Sequence, residues 1–372
     1  MSKADPLPEP DKLEGAPHPR ETRALLGQGA AEAAFLEAYL SERLHHGWLI
    51  TGPKGIGKAT LAWRIARFLI ATPKETAGGG LFGEALAPTT LDISEDHPVA
   101  RRILARSEPA LFSLTRSVVE STGRMSREIR IEDVRRLRNF LSLSAADGGA
   151  RVVIVDAADE MNSSAANAIL KMLEEPPANT VLLLVSHQPS RLLPTIRSRC
   201  RQLRCAALEP GALAAALAQA GVAASDPDAL SALASGSVGA AIRLETEAGA
   251  ALYGELLALL ATLPRLDRGR ALALAESVAG RGAEARLTLL LDLLDIVLAR
   301  LARTGLTGAP VPEGAKGETE ILARLSPDAR QARHWADLAQ SLAARARQGA
   351  AVNLDPASLI FDTLLMIEAR AA

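Results

Sequence analysis

Apolar residues follow two regimes along this chain. Up to about Leu208, short continuous apolar runs alternate with helically spaced ones; beyond it only helical spacing remains. Trp48-Leu49-Ile50-Thr51, Arg151-Val152-Val153-Ile154-Val155-Asp156 and Val181-Leu182-Leu183-Leu184-Val185-Ser186 are short and apolar, the second strongly β-branched, as strands buried on both faces must be. Between them, Ala30 to Leu44, Thr60 to Ile70, Ile131 to Leu141 and Asn162 to Glu174 repeat their apolar residues every three or four positions, which predicts helices. Pro176-Pro177 stops the last of these. Strands alternating with helices predict an open α/β sheet. Residues 1–22 carry Pro6, Pro8, Pro10, Pro17 and Pro19 and predict a flexible or extended lead-in. Thr72 to Pro98, with Gly78-Gly79-Gly80, predicts an irregular insertion, and Asp147-Gly148-Gly149 a turn. Residues 209–280 and 281–372 are Ala/Leu-rich helical segments, broken near Leu263-Pro264 and over Thr304 to Thr319.

Composition supports a helical bias. Aromatic residues make up only 3% of the 372 positions, leaving Ala and Leu, both strong helix formers, to fill the core. With 42 basic and 43 acidic residues the net charge is −1, which gives no case for strong autonomous DNA binding. Cys200 and Cys205 are too few for a four-cysteine zinc site, so reduced thiols and no metal are expected. No apolar run has the length of a membrane span, and the polar N-terminus has no signal-peptide core. A cytoplasmic protein without membrane contact is expected.

One motif changes the picture. Gly52-Pro53-Lys54-Gly55-Ile56-Gly57-Lys58 has the spacing of a phosphate-binding loop and lies between a predicted strand and a predicted helix. Gly52, Gly55 and Gly57 would let backbone N–H groups close around phosphate, and Lys58 would reach its outer oxygens. The next position should be Ser or Thr, whose hydroxyl binds Mg2+, and here it is Ala59. Thr60 is one step further round the helix, turned away from that metal position. Asp156 ends a strand where a metal-binding aspartate is expected, but Ala157 follows it instead of a water-orienting glutamate. Asp159, three residues on, has helix capping as its plainer role.

The tracts Asn167-Ala-Ile-Leu-Lys-Met-Leu-Glu-Glu-Pro-Pro177 and Ser198-Arg199-Cys200 complete the pattern. With the loop, they make the chain resemble bacterial clamp-loader subunits of DNA polymerase III, within the AAA+ family, and in particular their delta-prime branch. Strong similarity covers about residues 18–63 and 127–205. The resemblance implies a P-loop AAA+ α/β domain with a parallel sheet over 23–207. It also implies a helical lid over 208–280 and an all-α collar over 281–372. It implies a stator in a hetero-pentamer with gamma/tau and delta subunits, which loads the β sliding clamp on primed DNA. In that family the arginine of Ser-Arg-Cys serves a neighbouring subunit's ATP; here that is Arg199. A planar, permanently charged guanidinium suits a γ-phosphate. Without the motif, Arg199 would read as a surface arginine among Arg197, Arg201 and Arg204. Active relatives carry a sensor arginine in the lid, where this chain has Gly239, with Arg243 further on as a solvated side chain. The expectation is a degenerate nucleotide site at Gly52, Gly55, Gly57, Lys58, Thr60 and Asp156, with no required cofactor and room for idle ATP or ADP. The alternative is an active, gamma/tau-like ATPase. Arg124, Arg127, Arg130, Arg135, Arg136 and Arg138 read as a solvated helix face or as contacts to duplex backbone. The apolar pattern Leu289, Leu290, Leu293, Leu294, Ile296, Val297 fits a private core or a subunit collar.

Overall fold

The computed structural model describes residues 9–41, 44–72, 87–119, 121–142, 149–280, 282–351 and 354–371. It divides into two compact units, Met1–Gly221 with Ser237–Gly239, and Val222–Gly236 with Ala240–Ala372. The first unit therefore runs beyond the expected boundary at 207.

In the first unit, helix α1 (Gly29–Leu40) leads to β1 (Gly47–Thr51), α2 (Lys58–Ala71) and α3 (Pro98–Leu104). Strand β2 (Leu111–Leu114) and the short pair β3 (Val118–Val119) and β4 (Arg124–Met125) precede α4 (Ile131–Ser142). Then come β5 (Arg151–Asp156), α5 (Ser163–Glu174), β6 (Thr180–Ser186), α6 (Pro194–Ser198), β7 (Arg201–Arg204) and α7 (Pro210–Gln219). The sheet has five strands in the order β2-β5-β6-β1-β7, and every pairing is parallel. Alternation sorts its side chains. Leu49, Val153, Val155, Leu182 and Leu184 join Val134 and Leu137 of α4 and Ala165, Ile169 and Leu173 of α5 in one core. Trp48, Ile50, Val152, Ile154 and Leu183, offset by one, are fully buried too, and Trp48 lies 5.0 Å from the Phe35 ring of α1. A sheet covered on both faces needs continuous apolar runs, which is why three of its strands are legible as such.

Two strands of this five-stranded sheet, and the short β3–β4 pair, carry no signal in the sequence. β7, Arg-Gln-Leu-Arg, is an edge strand with only Leu203 buried, and charged side chains are what an edge tolerates. β2 is the other edge, held to β5 by backbone pairing and too short to show a period. The Gly78-Gly79-Gly80 tract and Asp147-Gly148 lie outside the described residues.

The expected loose lead-in needs correction from Glu9 onward. His18 caps a 3-10 turn at Pro19–Glu21, its Nδ1 accepting from Arg20 N at 3.1 Å while the Glu21 carboxylate accepts from His18 N at 3.1 Å. Buried His18 lies 3.0 Å from the Asp11 carboxylate, and the Arg20 guanidinium donates to Glu9 at 2.7 Å. Proline bars a helix core here, but reciprocal capping and buried ion pairs hold the segment in place without one.

The second unit is built from α8 (Pro227–Ala234), most of α9 (Val238–Thr246), α10 (Gly249–Leu260), α11 (Arg268–Glu276), α12 (Glu284–Thr307), α13 (Glu318–Leu325), α14 (Ala329–Ala351) and α15 (Pro356–Ala371). Leu289, Leu290, Leu293, Leu294 and Val297 of α12 are buried within it. Arg243, expected to be solvated, is paired with Asp292 at 3.1 Å.

Candidate functional site: the phosphate loop and Arg199

The loop between β1 and α2 has the predicted form. Gly55 sits at φ +78°, and Gly52 at φ +145° lies so close to strand β7's exit that a Cβ would meet the Cys205 carbonyl at 2.5 Å. Only glycine fits either position. Lys58, the first residue of α2, is 2% exposed, and its ammonium donates to the Gly52 carbonyl at 2.7 Å and to the Pro53 carbonyl. Ala59 follows it, Thr60 is buried on α2, and buried Ala157 follows Asp156.

The tract Ser237–Gly239 packs with the first unit directly on this loop. The Ser237 hydroxyl donates to the Lys54 carbonyl at 2.8 Å, and Gly239 N donates to the Gly55 carbonyl at 3.0 Å. Added to Gly55, a Cβ would lie 2.4 Å from the Ser237 oxygen and 3.0 Å from Gly239 Cα. Two glycines thus meet backbone to backbone. Leu13 of the lead-in reaches the same place, 3.8 Å from where a Cβ on Gly239 would stand.

Burial sets the charge states. It pushes the Asp156 carboxyl up to about 7, with the charges of Asp11 and Glu160 adding to it and Lys58 opposing. Burial likewise lowers Lys58 to about 8, against the pull of Asp156, and His187, at the end of β6, is lowered to about 4 by burial and by the Lys58 charge. Asp159 does not cap α5; Asn162 does, accepting from Ala165 N at 2.9 Å. The Asp159 carboxylate instead accepts from His187 N at 2.8 Å, tying the turn after β5 to the end of β6.

A pH-dependent effect follows. An unfolded aspartate ionises near about 3.9, so between that pH and 7 the folded chain holds a proton that the unfolded chain has lost. Stability therefore falls as pH rises through that window. Asp156→Asn removes the effect: its gain in melting temperature over the parent is expected to be small at pH 4.5 and several times larger at pH 7.5. Equal gains at both would mean that the carboxyl titrates normally.

Arg199 lies on the first unit, as the residue that ends α6. Its guanidinium is 39% exposed, donates to the Thr195 carbonyl at 3.2 Å and pairs with Glu174, the last residue of α5, at 2.9 Å. Arg197, Arg201 and Arg204 are exposed around it. Arg201 lies over the Trp48 ring, 5.3 Å from its centroid. Cys200 is partly buried and Cys205 buried, both free thiols. Among the described residues, no group of three His, Cys, Asp or Glu is placed to hold a metal, and no helix is long and apolar enough to cross a membrane.

Residues 27–209 match the family described as DNA polymerase III, delta subunit. A DNA polymerase III subunit delta-prime of Pseudomonas aeruginosa is 42% identical over 169 residues, 45% of each chain. Over residues 27–209 the chain is thus similar to the delta-prime and gamma/tau subunits of DNA polymerase III. The delta-prime subunit of Escherichia coli K12 is 31% identical over 167 residues, 45% of this chain and 44% of that one. A gamma/tau subunit of Mycobacterium bovis is 28% identical over 201 residues, 54% of this chain and 31% of that one. The chain thus spans less than half the length of these relatives. A solved gamma subunit-related protein of Thermotoga maritima is 16% identical with a TM-score of 0.37, covering 91% of this chain and 100% of that one.

The structure brings Gly52, Gly55, Gly57, Lys58 and Asp156 into one place and sets Arg199 apart on the surface. Sequence reasoning missed the Ser237–Gly239 contact, the lead-in's approach and the Glu174 pairing. A Gly-Ser-x-Gly tract invites a reading as a lost arginine, but nothing in it signals which backbone it touches.

Proposed function

We propose that this chain is a delta-prime-like stator of the DNA polymerase III clamp loader, soluble in the cytoplasm, whose own phosphate loop does not turn over ATP. The observation that carries the reading is Lys58: its ammonium is engaged by two carbonyls of its own loop, while Ala59 offers Mg2+ a methyl group. The donor set does not fit Mg2+-ATP turnover, so no step of that chemistry is assigned to this pocket. ATP or ADP would sit there idle, if Ser237–Gly239 moved away. Arg199 supplies the chain's part in the chemistry, reaching the γ-phosphate of a neighbouring gamma/tau subunit, where a fixed positive fork stabilises the charge of the transition state. Partners are gamma/tau and delta in a hetero-pentamer, and through it the β clamp and primed DNA. The runner-up, an active gamma/tau-like ATPase, predicts Mg2+-dependent ATP hydrolysis by the purified chain that Lys58→Ala abolishes.

Reconstitution tests the reading. Clamp loading on primed DNA by gamma/tau and delta is expected to need this chain, and the chain alone is expected to show no ATPase. Equal loading without it, or turnover by the chain alone, would sink the proposal.

A further inference from the structure

Two elements meet at Arg199 in a way that the motif alone does not require. Glu174 is the C-terminal residue of α5, where unpaired carbonyls already make the helix end negative and a carboxylate is intrinsically disfavoured. Glu175 follows and deepens the negative charge. The α5 terminus is nevertheless fixed: His46 makes a 2.9 Å hydrogen bond to the Leu173 carbonyl. Gly47 leaves room beside both residues: a Cβ there would press on the Leu173 side chain at 2.7 Å and on the Arg199 carbonyl at 3.3 Å.

The guanidinium is thereby gripped at two points, Nη2 by the Glu174 carboxylate and Nη1 by the Thr195 carbonyl. Arginine has five N–H donors, so three remain for an incoming anion. A long side chain gripped at two points has already lost much of the rotamer freedom it would otherwise lose on meeting phosphate. Both members of the pair are about two-fifths exposed, so the pair adds little to folding stability, and its consequence lies in where the guanidinium points.

We infer that Glu174 is the positioning residue for Arg199, bracing its guanidinium on this subunit so that the remaining donors face a neighbour's phosphate. The inference rests on the trans role of Arg199 proposed above. In the complex reconstituted with gamma/tau and delta, Glu174→Ala is expected to lower the kcat of DNA-stimulated ATP hydrolysis at the site served by Arg199 roughly threefold to fivefold, with KM little changed. Glu174→Gln, whose amide oxygen still accepts, should recover part of that loss, and the melting temperature of the free chain should not move. In an Arg199→Ala background, Glu174→Ala should have no further effect. If Arg199→Ala slows hydrolysis while Glu174→Ala does not, or speeds it, the bracing role is overturned and the trans role stands. If Arg199→Ala itself changes nothing, the trans role falls, and the bracing role with it.

Discussion

Under the trans role proposed for Arg199, replacing it with alanine is expected to reduce turnover roughly a thousandfold at one neighbouring ATP site, and to leave assembly intact. The reconstituted complex should lose that site's whole share of DNA-stimulated ATPase, while size-exclusion chromatography still shows all subunits together. Assembly should survive because the side chain is 39% exposed and its intramolecular partners are a surface carboxylate and one carbonyl. Neither contact holds a core, and exposed pairs of this kind are worth about 0–1 kcal/mol. Arg199→Lys should not rescue, since an ammonium cannot present the planar fork that spans a carbonyl, a carboxylate and a phosphate at once. Unchanged ATPase in the alanine variant would remove the trans role.

The second large effect is on stability. Gly55→Ala is expected to destabilise the first unit by about 2–3 kcal/mol: about 1–2 for a left-handed backbone and about 1 for the Ser237 hydrogen bond that a Cβ would displace. At φ +78°, with the new Cβ 2.4 Å from the Ser237 oxygen and 3.0 Å from the Gly239 backbone, there is no direction in which the loop yields without cost. Gly123→Ala is the control, at φ +63° with nothing within 4 Å, and should lose only the backbone part. In urea the two variants should differ in midpoint by roughly 1 M or somewhat less. Equal losses would mean that Ser237–Gly239 does not rest on the loop in solution. The comparison also bears on Gly239. Any residue with a Cβ there would press on Gly55 Cα at 3.0 Å, so an arginine could occupy position 239 only with the two backbones further apart.

Much of the α/β unit was legible because its physics is local. Three strands buried on both faces must be continuously apolar, and Gly52, Gly55 and Gly57 must be glycine where the loop turns left-handed or meets backbone. Ala59 and Ala157 were legible for the opposite reason: a methyl group lacks an oxygen in any fold. The edge strand β7 was not legible, since Arg201–Arg204 looks solvated and pairs only because β1 lies beside it. Nor was the ordered lead-in, whose prolines argued for looseness while His18, Asp11, Glu9 and Arg20 fastened it through contacts that are not periodic.

The sequence by itself determined which chemical groups this protein has and lacks: the phosphate-loop glycines and Lys58, no hydroxyl at position 59, no acid at 157, no arginine at 239, and an arginine at 199. These are statements about covalent identity, and they hold wherever the residues go. Only the tertiary structure decided what those groups touch. It put Lys58 on its own loop's carbonyls, Gly239 against Gly55 across a long stretch of sequence, and Glu174 beside Arg199. The meeting of Gly239 and Gly55 depends on close approach of distant backbones, which glycine permits and packing enforces, and no spacing along the chain encodes it.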